Sequence, residues 1–217
     1  MPTCSRMVLV GGLVGVLFLS KPAGRGAPGP ADGPLDARLR AIAKEYRAWG
    51  RVDQGARLAP TDCRAPKAAE ARVSQSEDAT THGQKLYSLF AKDRKAYLGT
   101  AKEPNPVGQV LVKQSWVPVG VPDDGGPLGA KAITTGGDSF IPYVRNDGKL
   151  LKADRQADLF VMLKLDPQTP ASDQGWVYGS VTPDGAKVTS AGRVESCLRC
   201  HAKAEHDRLF GLPGWSK

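Results

Sequence analysis

Aromatic residues are scarce in this chain of 217 residues, at 6%, and so are cysteine (four), methionine (three) and histidine (three). No apolar run approaches the roughly 20 residues that carry a helix across a bilayer, so no stable membrane span is expected. Basic residues are not gathered either: the 30 Lys and Arg are interspersed with 22 Asp and Glu, for a net charge of +8. Nucleic-acid binding needs a basic stripe interleaved with aromatics, and neither is present. The excess supports a modest preference for acidic partners and nothing more. What remains, 41% hydrophobic and 24% charged, is an ordinary globular balance, long enough for one domain with its own core.

Residues 1–26 read as a secretory signal peptide. Arg6 precedes the apolar run Met7 to Leu19, which has the length of a signal h-region and is short for a membrane helix. Small residues follow, with Gly24 and Gly26 placed for cleavage near Ala27. An uncleaved N-terminal anchor is the rival reading. Cys4 precedes the apolar run, so it is not placed for lipid modification. Export predicts a periplasmic or otherwise extracytoplasmic, oxidising location. It also removes Cys4 from the count and leaves Cys63, Cys197 and Cys200, an odd number that makes no disulfide framework.

Residues 27–34 form a Pro/Gly/Ala linker, and 35–217 form one domain. Leu35, Leu39, Ile42, Tyr46 and Trp49 make a continuous apolar stripe at helical spacing, with Gly50 placed to end it. Residues 51–81 are polar and broken by Pro60 and Pro66, which predicts loop and short helix. Lys85 to Ala91 fits strand or helix, and Lys92 to Leu98 fits one or two helical turns. Val107 to Val119 and Leu159 to Leu165 are strand-like runs apolar on both faces. Trp176 to Thr182 and Lys187 to Val194 flank the turn Pro183-Asp184-Gly185, and Asn146-Asp147-Gly148 is a second hairpin signal. The fold class that follows is α+β: an antiparallel β-sheet domain with flanking helices.

Cys197-Leu198-Arg199-Cys200-His201 is the most informative stretch. Cys-x-x-Cys-His is the attachment motif of a c-type haem, whose vinyl groups take the two thiols while the histidine ligates iron. A redox dithiol, a half zinc site and a plain disulfide compete with that reading. The dithiol expects a thioredoxin-like βαβ context, and zinc would have only His206 within helical reach. One covalent haem c, held by Cys197 and Cys200 with His201 on the metal, is the expectation. Little sequence follows His201, and Met162, inside an apolar run, reads as core rather than ligand. His82 beside Gly83 could close the sixth position but reads as a surface histidine. An open iron position binds small molecules, whereas two strong ligands favour electron transfer.

These residues resemble the cytochrome P460 family, which includes the β-type cytochromes c′. Glu45-Tyr46-Arg47-Ala48-Trp49 is similar to that family's first helix, and Lys85 to Gly99 to its strand and short helix. Val107 to Gln114, Gly175 to Tyr178 and Cys197 to Phe210 are similar to its lysine strand, its aromatic strand and its terminal haem motif. The match covers roughly residues 36–213. The resemblance implies a periplasmic monohaem protein with an open distal pocket that oxidises hydroxylamine or handles a related nitrogen oxide. In the enzymes a strand lysine is bonded to the porphyrin edge, and Lys113 stands at that position. Its bland alternatives are an edge-strand lysine or one snorkelling to water. Glu195 is the candidate proton acceptor, a solvated carboxylate being the alternative. Phe90, Phe140 and Phe160 are on offer for the phenylalanine-lined pocket of the nitric-oxide-binding branch. Implied partners are a small nitrogen-oxide ligand or substrate and a small redox protein, with a homodimer as one oligomeric option. Non-enzymatic nitric oxide binding and plain electron transfer are the alternative functions. Cys63 reads as a buried thiol or an intermolecular disulfide.

Overall fold

A computed structural model describes residues 33–53, 68–76, 83–135 and 138–211. Residues 1–26, read as a signal peptide, most of the 27–34 segment, Cys63 and His82 lie outside the described residues. The helix α1 (Pro34–Glu45) starts on a proline, has Asp36 in its first turn and Lys44 in its last, and so complements its own dipole. It tightens into a 3-10 turn, Tyr46–Trp49, and stops where Gly50 takes φ 74°. Leu39, Ile42 and Tyr46, the stripe read from the sequence, are its buried residues.

Among the described residues ten strands follow: β1 (Ala69–Glu70), β2 (Arg72–Val73), β3 (Leu86–Ala91), β4 (Val110–Val121), β5 (Ile133–Thr135), β6 (Asp138–Ile141), β7 (Tyr143–Asn146), β8 (Lys149–Lys164), β9 (Trp176–Val181) and β10 (Val188–Gly192). The helix α2 (Arg94–Gly99) lies between β3 and β4, and α3 (Glu195–His201) follows β10. The main sheet runs β10-β9-β8-β4-β3-β2, with β7 also paired to β8, and every pair in it is antiparallel. A small second sheet, β1-β6-β5, contains one parallel pair. The fold is therefore α+β, mostly antiparallel sheet with few helices. Among the described residues no helix is long and apolar enough to cross a membrane.

Both hairpin signals hold. Asp147 and Gly148 take φ 49° and 71° between the paired residues Asn146 and Lys149, a two-residue turn with both residues left-handed. Gly185, φ 73°, turns β9 into β10. The loop-and-helix expectation for 51–81 is corrected in its described part, where β1 and β2 replace the helix. Ala69 and Ala71 are buried there, and the Ala71 N–H donates to the Ile141 carbonyl, so small side chains let the backbone lie against β6.

Alternation along the central strands divides the core in two. One face of the sheet packs under α1, with Phe90, Val110, Val112, Leu159, Val161, Leu163 and Val181 buried against Leu39 and Ile42. The opposite face carries Leu111, Trp176 and Tyr178, with Leu89, Met162, Cys197 and Leu198 only partly buried. Apolar residues on both faces explain the unbroken β-branched runs.

Candidate functional site

The site lies where α3 meets the second face. Glu195 in the first turn and Arg199 in the last complement the helix dipole. One helical turn separates Cys197 from Cys200 and a slightly longer step separates Cys197 from His201, so all three share one side of α3. Both thiols are half-buried, and neither is bridged in a disulfide.

His201 is held from two directions. Its ring lies 5.4 Å from the Tyr178 ring and 5.5 Å from that of Phe210. Its Nδ1 sits 2.6 Å from the backbone carbonyl of Arg208, where only an Nδ1–H can donate. That bond assigns the proton to Nδ1 and leaves the Nε2 lone pair for a metal. Burial lowers the imidazole pKa, the Arg208 carbonyl opposes that, and the Lys113 charge adds to the lowering.

Lys113 stands on β4 between Leu89 of β3 and Phe160 of β8. It is on an interior strand, so the edge-strand reading fails. Its Nζ donates to Ser74 Oγ at 3.1 Å and lies 4.2 Å from the Tyr87 ring centroid. Burial pushes its pKa down to about 8; Cys200 pulls the other way and Lys85 adds to the depression. Lys113 shares its face of the sheet with Leu111, against which Cys197 and Leu198 of α3 pack.

Sheet register orders the face in rows. Ala91, Leu111, Met162 and Tyr178 form one, and Leu89, Lys113, Phe160 and Ser180 the next. Beside them opens a cleft of about 580 Å³, lined in part by Asp158, Phe160, Ser180, Ser190, Val194 and Ser196. Asp158 accepts from Thr189 Oγ1 at 3.2 Å. Thr189 and Ser190 each share a hydrogen bond with Ser180 Oγ, at 2.6 and 2.7 Å. A carboxylate at one end of three linked hydroxyls is a path for protons.

Not every expected residue comes to this site. Of the three phenylalanines only Phe160 lines the cleft. Phe90 is buried under α1 with its ring 4.9 Å from Tyr46, and Phe140 stacks on Trp116 at 5.2 Å. Glu195 is exposed on the first turn of α3, where a carboxylate favours the helix N-terminus. Met162 is partly buried and packs against the second cluster, as Cys197 and Leu198 do. Asp158 went unnoticed in the sequence because the apolar run was read as beginning at Leu159. Extending the alternation Met162, Phe160 back by two residues would have found it.

The donor set fits a c-type haem: two thiols a helical turn apart, one imidazole with its Nε2 available, and a half-covered apolar face opposite. Among the described residues no three His, Cys, Asp or Glu side chains converge as a metal cluster. No family model matches the chain, and no curated protein matches it.

Proposed function

We propose that this chain is an exported monohaem c-type cytochrome of the P460 kind, which oxidises hydroxylamine or a related nitrogen oxide. Cys197 and Cys200 are the thioether residues and His201 is the metal ligand. The haem would supply a redox-active iron with a position open to a small ligand. The observation that carries the reading is Lys113: a desolvated amine on an interior strand, on the sheet face against which Cys197 and Leu198 pack.

A core strand keeps no lysine there for stability, since a buried ammonium costs more than an apolar side chain. A neutral amine is instead a nucleophile that can bond to a porphyrin edge. Such a bond would remove one hydrogen from the Lys113 nitrogen and one from the carbon, a two-electron loss to peroxide, which would leave as water. Hydroxylamine oxidation releases protons with its electrons. Asp158 and the Thr189–Ser180–Ser190 hydroxyls would take the protons, in preference to exposed Glu195. A small redox protein would take the electrons.

Phe160 in the cleft favours one other reading, a five-coordinate haem that captures nitric oxide without turnover. Digestion of the purified protein separates the two. The enzyme reading expects a haem joined to both the Cys197–Cys200 peptide and the Lys113 peptide. Haem on the cysteine peptide alone, with an ordinary high-spin spectrum, supports nitric oxide capture instead.

A further inference from the structure

Two consecutive non-glycine residues after α3, Asp207 and Arg208, take left-handed conformations, φ 46° and 65°. They form the tip of a tight turn: His206 and Leu209 make a bridge, and the Leu209 N–H donates to the His206 carbonyl at 2.8 Å. Successive left-handed residues are disfavoured for L side chains and persist only where the surroundings hold them.

Here both side chains are anchored to the sheet. The Asp207 carboxylate is buried and takes four donors. Lys164 Nζ (2.6 Å) and Trp176 Nε1 (3.1 Å) meet its Oδ1, while the Asn105 backbone N–H (2.8 Å) and Nδ2 (3.2 Å) meet its Oδ2. Lys164 and Asp207 side chains are 6% and 8% exposed, so the pair is a desolvated one that keeps its geometry. Arg208 reaches the other way, its Nε 3.0 Å from Asp173 Oδ1, and Asp173 Oδ2 accepts from Tyr178 OH at 2.7 Å. Tyr178 is the ring that faces His201. Between these two anchors projects the Arg208 carbonyl, 2.6 Å from His201 Nδ1.

We infer that Asp207 is a positioning residue for the His201 imidazole, fixing through the Asp207–Arg208 turn the carbonyl that orients His201 and holds its proton on Nδ1. This rests on the reading of His201 as the haem ligand. An outer partner of this kind sets ring orientation and ligand basicity, and its loss weakens the bond to the metal. The chain commits a buried ion pair, a tryptophan and an asparagine to that carbonyl. The charge of Asp207 is the part that neutralises Lys164, so asparagine in its place keeps the shape and loses the anchor.

The test compares wild type with Asp207→Asn as full-length holoproteins. Mass of the haem peptide reads attachment, resonance Raman reads the iron–histidine stretch, and the ferrous nitric oxide adduct reads whether His201 is retained. Asp207→Asn should keep its covalent haem, lower the stretching frequency and raise the His201-released fraction of the adduct, by about tenfold in the ratio of released to bound. Arg208→Ala, which cuts the second anchor, should shift both in the same direction by less, and it serves if Asp207→Asn fails to accumulate. Unchanged stretch and adduct in the variant that accumulates overturn the inference and leave the haem reading intact. Wild type without thioether-bound haem defeats the haem reading. The full-length chain then still reports the turn through nitrogen NMR of His201, where an Nδ1–H form lost in Asp207→Asn supports the positioning role and an unaltered form overturns it.

Discussion

The two faces of the main sheet are made by the same strands, and they have been put to different uses. Under α1 the alternate residues Phe90, Val110, Val112, Leu159, Val161 and Leu163 are all at most 3% exposed. Gly179 leaves room on that face for the Leu39 side chain to press onto β9. On the other side the intervening residues include Lys113 and Asp158, and Leu89 and Met162 stay partly exposed. A seven-residue helix, α3, covers that face only in part. Close packing on one side supplies the rigidity that lets the other side hold an amine, a carboxylate and two thiols in place.

The largest effect expected on the open face is at the thiols. Cys197→Ala should nearly abolish accumulation of holoprotein, and acid–acetone should leave the wild-type colour with the polypeptide. Colour extracted into the solvent from wild type would remove the covalent haem altogether. Lys113→Ala comes next. It should abolish hydroxylamine oxidation, return an ordinary high-spin c-type spectrum and keep nitric oxide binding. Retained oxidation in this variant would leave Lys113 as packing alone.

Neighbours on β8 sharpen the contrast. Leu163→Ala, at a fully buried position on the α1 side, should cost about 2–5 kcal/mol of stability by leaving a cavity, with the spectrum unaltered. Asp158→Asn, on the open side, should lower hydroxylamine oxidation by about 10²-fold or more through loss of a proton acceptor. Its unfolding midpoint should stay close to wild type. If Asp158→Asn oxidises normally while Glu195→Gln does not, the proton path has been assigned to the wrong carboxylate.

Much of this was legible beforehand, for local reasons. The α1 stripe, both hairpin turns and the Cys-x-x-Cys-His helix are written in spacings of two to seven residues, and each was readable. Whether Lys113 stood on an interior or an edge strand depended on pairing with β8, about 45 residues away. Asp158 was silent, and the role of the Asp in the terminal segment, Asp207, unreadable, for the same reason. Asp207 gains its meaning from Asn105, Lys164 and Trp176, which no local pattern connects. Phe90 and Phe140 fall away from the cleft because side-chain type does not say where a strand residue faces, and Phe90 alternates to the α1 side.

The subtlest difference between the faces is a titration. The folded Lys113 amine loses its proton near pH 8, whereas an unfolded lysine does so near about 10.4. Between those values the unfolded chain binds the extra proton, so stability should rise with pH through that window. The penalty for burying the ammonium is fully present below about pH 8 and is relieved above it. Lysine NMR of the haem-free chain should show one resonance titrating near 8, missing in Lys113→Met. That variant should also flatten the rise in unfolding free energy between about pH 8 and 10. An amine titrating with the surface lysines would mean that the open face is wetter at Lys113 than its packing shows. The neutral, nucleophilic fraction of the amine at neutral pH would then be smaller by about 10²-fold.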